Sequence, residues 1–236
     1  MLEIVEIKRQ MKQGQTAPFL CSADDGRQYI VKGARATPQG LVKEWIAANL
    51  AKAFGLPIPE FKIAYVDQEL VEYGYDDLGS GFCFASLFTP NIQDITYAAI
   101  PELPREVLRD LFIFDYWIKN DDRFLTKLGG NPNLFFNPIN KSVVVLDHNL
   151  AFEQNFKTDD HINLHVGRQA WFASQPDMFC RINYEAKFEN ASSRLDEIIA
   201  GLPKEWLEFY QLDSIEREII VVLRKYNEPD FWEDLR

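Results

Sequence analysis

The sequence predicts an α+β chain in two parts: a small lobe of antiparallel sheet with one helix over residues 1–90, and a larger, mainly helical lobe over 91–236. Three observations lead there. Strand-length apolar runs gather before residue 90, apolar positions after residue 100 recur mostly at helical spacing, and 236 residues suit one large domain or two lobes.

The N-terminal runs "EIVEIK" (3–8), "PFLCSAD" (18–24) and "QYIVKG" (28–33) have strand length, with the turn signal "DDG" at 24–26, and read as an antiparallel meander. "LVKEWIAANLAKAF" (41–54) places apolar residues at 41, 42, 45, 46, 50 and 54, so it is a helix, ended by Gly55 as its cap and by Pro57. "FKIAYVDQELVE" (61–72) reads as two short strands about a turn near Asp67 and Gln68, and the Gly-rich stretch from residue 74 leads into the aromatic run "FCFAS" (82–86). "ELPREVLRDLFIFDYWIK" (102–119) is a helix, apolar almost all round at its end and therefore buried. "NLFF" (133–136) and "VVVLDHNLAF" (143–152) flank the turn "NPINKS" as a hairpin, and residues 189–226 have a helical pattern.

Composition narrows the function. A chain that is 47% hydrophobic and 14% aromatic builds its core without disulfides or a structural metal. Cys21, Cys83 and Cys180 are widely spaced and lack the CxxC pattern of a zinc site, which fits buried thiols in a reducing compartment. The first ten residues have charges inside their apolar stretch, unlike a signal peptide, and no apolar run approaches the ~20 residues of a membrane span, so the expected location is cytoplasmic. A net charge of −11 argues against nucleic acid and anionic membranes as direct partners. It leaves room for a local anion site.

The stretch "WIKNDDRFLTKLGGNPNLFF" (117–136) sets two aspartates, an arginine and two asparagines between apolar segments. Unpaired carboxylates do not belong in a core, so this is either a solvated loop or a site. Its place after a buried helix and before a hairpin ending in "LDHN" brings Asp122, Asn133 and Asp147 towards one cleft. A carboxylate to orient or deprotonate a hydroxyl, with an Asn and an Asp to hold Mg²⁺ on a nucleotide's phosphates, are the parts phosphoryl transfer needs. Upstream, Lys32 in "YIVKG" is placed to reach phosphates and Glu44 on the next helix to pair with it. The turn "KQGQTAP" (12–18) offers the backbone of Gly14 and Gln15 and the Thr16 hydroxyl as phosphate caps.

Taken together, "GQTAP", "DDGRQYIVKG", "LVKEWIAANLAKAFGLPIPE", "WIKNDDR", "NPNLFF" and "VVVLDHNLAF" resemble the HipA-like kinases, in particular their short stand-alone members, and more distantly the protein-kinase and phosphoinositide-kinase superfamily. The resemblance covers about residues 10 to 155 and implies a two-lobed protein-kinase-like fold with ATP and Mg²⁺ between the lobes. It implies Lys32 on the ATP α/β-phosphates, Glu44 holding that lysine, Asp122 as the catalytic aspartate, and Asn133 and Asp147 as metal ligands. Ala85 in "FCFAS" is the candidate hinge contact to adenine, with an ordinary core strand as the alternative. The acceptor the resemblance implies is a protein Ser or Thr hydroxyl, and the partner it suggests is a DNA-binding antitoxin-type protein. A small-molecule kinase and a pseudokinase that senses nucleotide without turnover are the alternatives.

Two departures from the superfamily pattern bear on these assignments. Ten residues (123 to 132) separate Asp122 from Asn133 where protein kinases have four, so Asn131 competes with Asn133 and Asp121 with Asp122. Asp147 is followed by His148 and Asn149 instead of Phe-Gly. His148 is expected to be a packed structural residue, Arg123 is a candidate brace for the loop, and His161 and His165, at i and i+4, are expected on a loop or helix surface.

Overall fold

Alternating apolar residues in the N-terminal third need a partner for every strand edge, and closure of the sheet on itself supplies one. The computed structural model describes residues 1–11, 16–72, 74–174 and 177–235. Strands β1 (Leu2–Gln10), β2 (Phe19–Ala23), β3 (Gln28–Lys32), β4 (Phe61–Val66) and β5 (Gly81–Leu87) form a closed barrel in the order β1-β2-β3-β5-β4. The meander expected for β1 to β3 is present, but the sheet is not purely antiparallel: β1 and β4 run parallel, with Leu2 opposite Ala64 and Ile4 opposite Val66. The barrel is filled by side chains such as Phe19, Cys21, Tyr29, Val31, Val66 and Cys83. Burial pushes the Cys21 thiol up to about 12, leaving it an inert small apolar group.

Helix α1 (Pro38–Phe54) begins three residues before the periodic stretch. Its start follows from Thr37, whose hydroxyl accepts from the Gly40 N–H at 3.2 Å, and from a proline at the first helical position. Gly55, at φ +100°, closes it by donating to Ala51 O at 3.1 Å. The second strand expected after Asp67 is instead a helical turn, α2 (Gln68–Val71). Asp67 dictates this by accepting from the Glu69 N–H at 2.9 Å, which satisfies a donor that a helix start leaves open.

Contacts divide the chain into two units: Met1–Trp45, Pro59–Pro90 and Leu202–Gln211 in the first, and Ile46–Ile58, Asn91–Gly201 and Leu212–Arg236 in the second. The division is not a single cut after residue 90, and two aromatic side chains show why. Trp206 is buried and donates its indole N–H to Phe82 O at 3.3 Å, which ties residues 202–211 to the barrel's unit. Phe54 packs on Phe114 and Phe188, with ring centroids 5.3 and 5.7 Å away, so the end of α1 belongs to the second unit.

The second unit is organised on α3 (Arg105–Trp117), buried at almost every position from Leu108 onward. Around it lie a sheet of β6 (Gln93–Asp94), β9 (Leu134–Asn137) and β10 (Ser142–Val145) in the order β10-β9-β6, a separate hairpin of β7 (Phe124–Thr126) and β8 (Gly129–Asn131), and helices α4 (Thr158–Leu164), α5 (Arg168–Phe172) and α6 (Met178–Ser192). The hairpin β7-β8 has only the short run Phe124–Thr126 as a strand signal in the sequence. Its reversal depends on Gly129 and Gly130, at φ +110° and +146°, and a Cβ on Gly130 would collide with Phe124 O. Among the described residues no helix is long and apolar enough to cross a membrane.

Phe54 also lies near the rings of Trp117 and Tyr184. Phe54→Ala is expected to lower the unfolding free energy by about 3–5 kcal/mol, read from the shift of the denaturant midpoint. A loss below about 1 kcal/mol would mean the cluster does not organise the second unit.

Candidate active site

Two constellations, one in each unit, hold the side chains singled out in the sequence. In the first, β3 delivers Lys32 and the second turn of α1 delivers Glu44. The Lys32 ammonium lies 2.6 Å from Glu44 Oε1, and both side chains are more than nine-tenths buried. Removing two charges from water costs several kcal/mol per ion, so such a pair holds only because each partner neutralises the other. The residue after Lys32 is fixed as well: a Cβ on Gly33 would collide with Leu78 O, to whose carbonyl Ala34 N donates at 2.7 Å.

The barrel contains Ala85 in the middle of β5, fully buried and in register with Val31 of β3 and Lys62 of β4. A central strand spends its main-chain groups in the ladders on either side. Ala85 thus occupies a core-strand position, the alternative weighed beside the adenine contact. Gly14 and Gln15 lie outside the described residues, and the Thr16 hydroxyl is buried and meets no partner among the described residues.

The second constellation begins where α3 ends. Asn133, immediately before β9, donates Nδ2 to Asp122 Oδ2 at 2.7 Å and to Asp122 O at 3.2 Å. The carboxylate fixes the amide's orientation, because the reverse would set two oxygens against each other. Asn131, the competing asparagine, sits exposed in β8 opposite Phe124. Asp121 donates its N–H to Leu150 O, and its carboxyl is raised by burial and then by the nearby Asp160 and Glu153 charges. Asp122 is thus the aspartate joined to the asparagine.

Asp147 follows β10, and its Oδ1 accepts from the Asn149 N–H at 3.0 Å. Asn133 and Asp147 both hold left-handed backbone, at φ +44° and +58°. Asn and Asp tolerate that conformation better than most side chains, yet it still needs support from outside.

Arg123 provides that support. Its side chain is fully buried, and the guanidinium donates to Pro132 O (3.3 Å), Asn133 O (2.9 Å), Leu146 O (2.9 Å) and Asp147 O (2.8 Å). Its Nε lies 2.7 Å from Asp115 Oδ2 with the N–H off the carboxylate direction, so this contact is an ion pair and not a straight hydrogen bond. Asp115, in α3, is also fully buried; Asn120 donates to its Oδ1 at 2.9 Å and His165 meets its Oδ2 at 3.0 Å. Burial alone would raise this carboxyl, but Arg123, His165 and His148 outweigh it and hold the pKa below the usual carboxylate range.

His161 and His165 correct the surface expectation: both are fully buried, with rings 4.5 Å apart. The Gly167 N–H donates to His165 Nδ1 at 3.0 Å, which puts the proton on Nε2, directed at Asp115. His161 directs its Nε2 at Phe112 O, 3.0 Å away. Among the described residues, no group of three His, Cys, Asp or Glu side chains is arranged to hold a metal ion. His148 is buried, as a structural residue should be.

Sequence reasoning missed Asp115 and His165. One signal was present: Asp115 is the only charged residue between Asp110 and Lys119, inside the apolar run "LFIFDYWI".

A buried Lys–Glu pair and an Asp–Asn–Asp set are residue types that kinases use. The profile of HipA-like kinases matches residues 4–235, and the chain belongs to that family. Among solved structures, the Helicobacter pylori proinflammatory kinase CtkA is similar over 94% of this chain and 95% of its own, with a TM-score of 0.55 at 14% identity. The Golgi casein kinase is similar over 100% of this chain and 76% of its own, with a TM-score of 0.51 at 15% identity. At these identities the likeness shows the fold. The comparison with curated proteins found no match.

The buried histidines predict an acid-sensitive stability. Burial, the largest effect for both, lowers their pKa values; Asp115 opposes it, and for His161 the neighbouring His165 adds to it. The unfolded chain protonates them near pH 6.5, so below that pH it takes up protons that the folded chain refuses, and stability falls as pH falls. The loss between pH 7.5 and 5.5 is on the order of 1 kcal/mol per histidine. Denaturant titrations of His161→Gln at the two pH values should show a smaller loss than the parent protein. An equal loss would place the acid sensitivity elsewhere.

Proposed function

We propose that the protein is an ATP- and Mg²⁺-dependent kinase that transfers the γ-phosphoryl group to a hydroxyl acceptor, by the HipA-like resemblance a protein Ser or Thr. The observation that carries this reading is the Asp122–Asn133 hydrogen bond, with Asp147 joined to the same loop through Arg123, in a chain of the HipA-like kinase family. A two-lobed kinase arrangement, a cytoplasmic location and a DNA-binding antitoxin-type partner belong to the same proposal.

In this reading the Asp122 carboxylate accepts the proton as the acceptor oxygen attacks the γ-phosphorus. The bond from that phosphorus to the β,γ-bridging oxygen breaks, and ADP leaves with the electron pair. Asn133, by donating to Asp122 Oδ2, sets the carboxylate's direction and leaves its own Oδ1 for a cation. Oxygen donors from Asn133 and Asp147 suit a hard divalent ion of the Mg²⁺ class. When bound, that ion neutralises phosphate charge. Lys32 holds the α/β-phosphates, and Glu44 keeps its ammonium in place.

Calorimetric titration with a non-hydrolysable ATP analogue, with and without Mg²⁺, tests the binding half. Binding is expected to require Mg²⁺ and to weaken at least 10-fold in Asp147→Asn; binding indifferent to both would remove the metal assignment. For the chemical half, Asp122→Asn is expected to retain nucleotide binding and lose 10²–10⁴-fold in phosphoryl transfer to a generic protein acceptor. Retained transfer in this variant, with loss in Asp121→Asn, would move the base by one residue.

Lys32→Met leaves Glu44 buried without its ammonium. A penalty of about 3–5 kcal/mol in stability is expected from denaturant unfolding, in addition to weaker nucleotide binding. Unchanged stability would show that the pair is dispensable to the fold.

A further inference from the structure

We propose that Asp115, a residue of α3 outside the catalytic loop, is a positioning residue that sets divalent-cation affinity by holding Arg123 against the carbonyls of Asn133 and Asp147. The proposal rests on the reading of Asn133 and Asp147 as the metal ligands and deepens it.

The geometry supplies a short path. Asp115 Oδ2 lies 2.7 Å from Arg123 Nε, and the far edge of the same guanidinium reaches Asn133 O at 2.9 Å and Asp147 O at 2.8 Å. These are the two residues whose left-handed backbone aims the proposed ligands. One planar, rigid group therefore fixes both ligand-bearing turns relative to each other. Leu146 N also donates to Asn133 O at 3.0 Å, so the turns share a carbonyl besides sharing the arginine.

Asp115 fixes the plane of that group. A guanidinium with no exposure has no water to turn towards, and among the described residues the carboxylate within ion-pair distance of it is Asp115. The carboxylate is itself immobilised on both oxygens, by Asn120 at 2.9 Å and by His165 at 3.0 Å. Without the negative charge, Arg123 retains its carbonyl acceptors but loses the anchor that orients its Nε edge. Groups that orient metal ligands from behind typically account for 10–100-fold in metal affinity.

A carboxylate buried for structural reasons alone provides the control. Asp110, also in α3 and buried, is instead spent on Tyr184 Oη, from which it accepts at 2.9 Å, and on Lys187 Nζ at 2.7 Å. Asp115→Asn keeps the shape of the side chain and removes its charge. Arg123→Lys keeps the charge of the arginine and removes the fork.

The test is titration of the protein with Mn²⁺ in the presence of a saturating non-hydrolysable ATP analogue, for the parent protein, Asp115→Asn, Arg123→Lys and Asp110→Asn. Weakening of Mn²⁺ affinity by about 10–100-fold in Asp115→Asn and Arg123→Lys, with less than 2-fold change in Asp110→Asn, is expected. Mn²⁺ affinity within 2-fold of the parent in a folded Asp115→Asn overturns the proposal and leaves the kinase reading standing. An equal loss in Asp110→Asn also overturns it, because any buried carboxylate would then serve. If Asp115→Asn does not fold, Arg123→Lys decides by the same threshold. Absence of Mn²⁺ binding in the parent protein removes the metal-site reading itself, a different failure from the first two.

Discussion

A guanidinium without solvent exposure, joined to a carboxylate without solvent exposure, is the constraint on which the turns of the second unit depend. Burying the two ions carries a desolvation cost of several kcal/mol each, and the pair by itself does not return it reliably. The extra return comes from four backbone carbonyls that Arg123 satisfies around the turns at 132–133 and 146–147. Carbonyls in irregular turns buried against a helix have no ladder to enter and would otherwise lack partners. The arginine and the turns are therefore mutually necessary, and the turns carry the asparagine and aspartate of the proposed metal site.

The same logic accounts for the hairpin between Asp122 and Asn133. A protein-kinase loop closes this distance with four residues, whereas here ten residues must leave the aspartate and return to the asparagine. The chain does so by folding back on itself as β7 and β8, whose ends sit opposite each other at Phe124 and Asn131. Insertion length is thus absorbed in a hairpin without disturbing the 2.7 Å contact at its base. The base is secured from the other side by the bridge between Phe124 and His165 and by Arg168, which donates to Leu125 O at 3.2 Å.

Much of this was legible in the sequence, for identifiable reasons. α1 and its glycine cap, α3, and the hairpin β9-β10 follow from periodicity and turn chemistry, which are local. Lys32 and Glu44 stood out because a strand-end lysine followed by a glutamate on the next helix has one economical arrangement, and the structure brings them to 2.6 Å. Closure of the barrel was not legible, because the parallel pairing of β1 with β4 joins segments about 60 residues apart and depends on register that no local signal encodes. Nor was α2, where one aspartate cap outweighed a strand-like composition. The histidines were misplaced because i, i+4 spacing gives a shared helix face but not what that face meets.

Charge completes the argument. A chain of net charge −11 does not attract a polyanionic nucleotide by its overall field, so attraction has to be local. Arg123, the arginine expected to brace the loop, is turned inward and spent on backbone carbonyls and Asp115. The cationic work of the proposed reaction then falls on Lys32 and on a divalent ion at Asn133 and Asp147. An acidic protein attracts such an ion over its whole surface, whereas an arginine facing those ligands would repel it. Turning Arg123 inward keeps the two turns aimed while sparing the proposed cation site a competing positive charge.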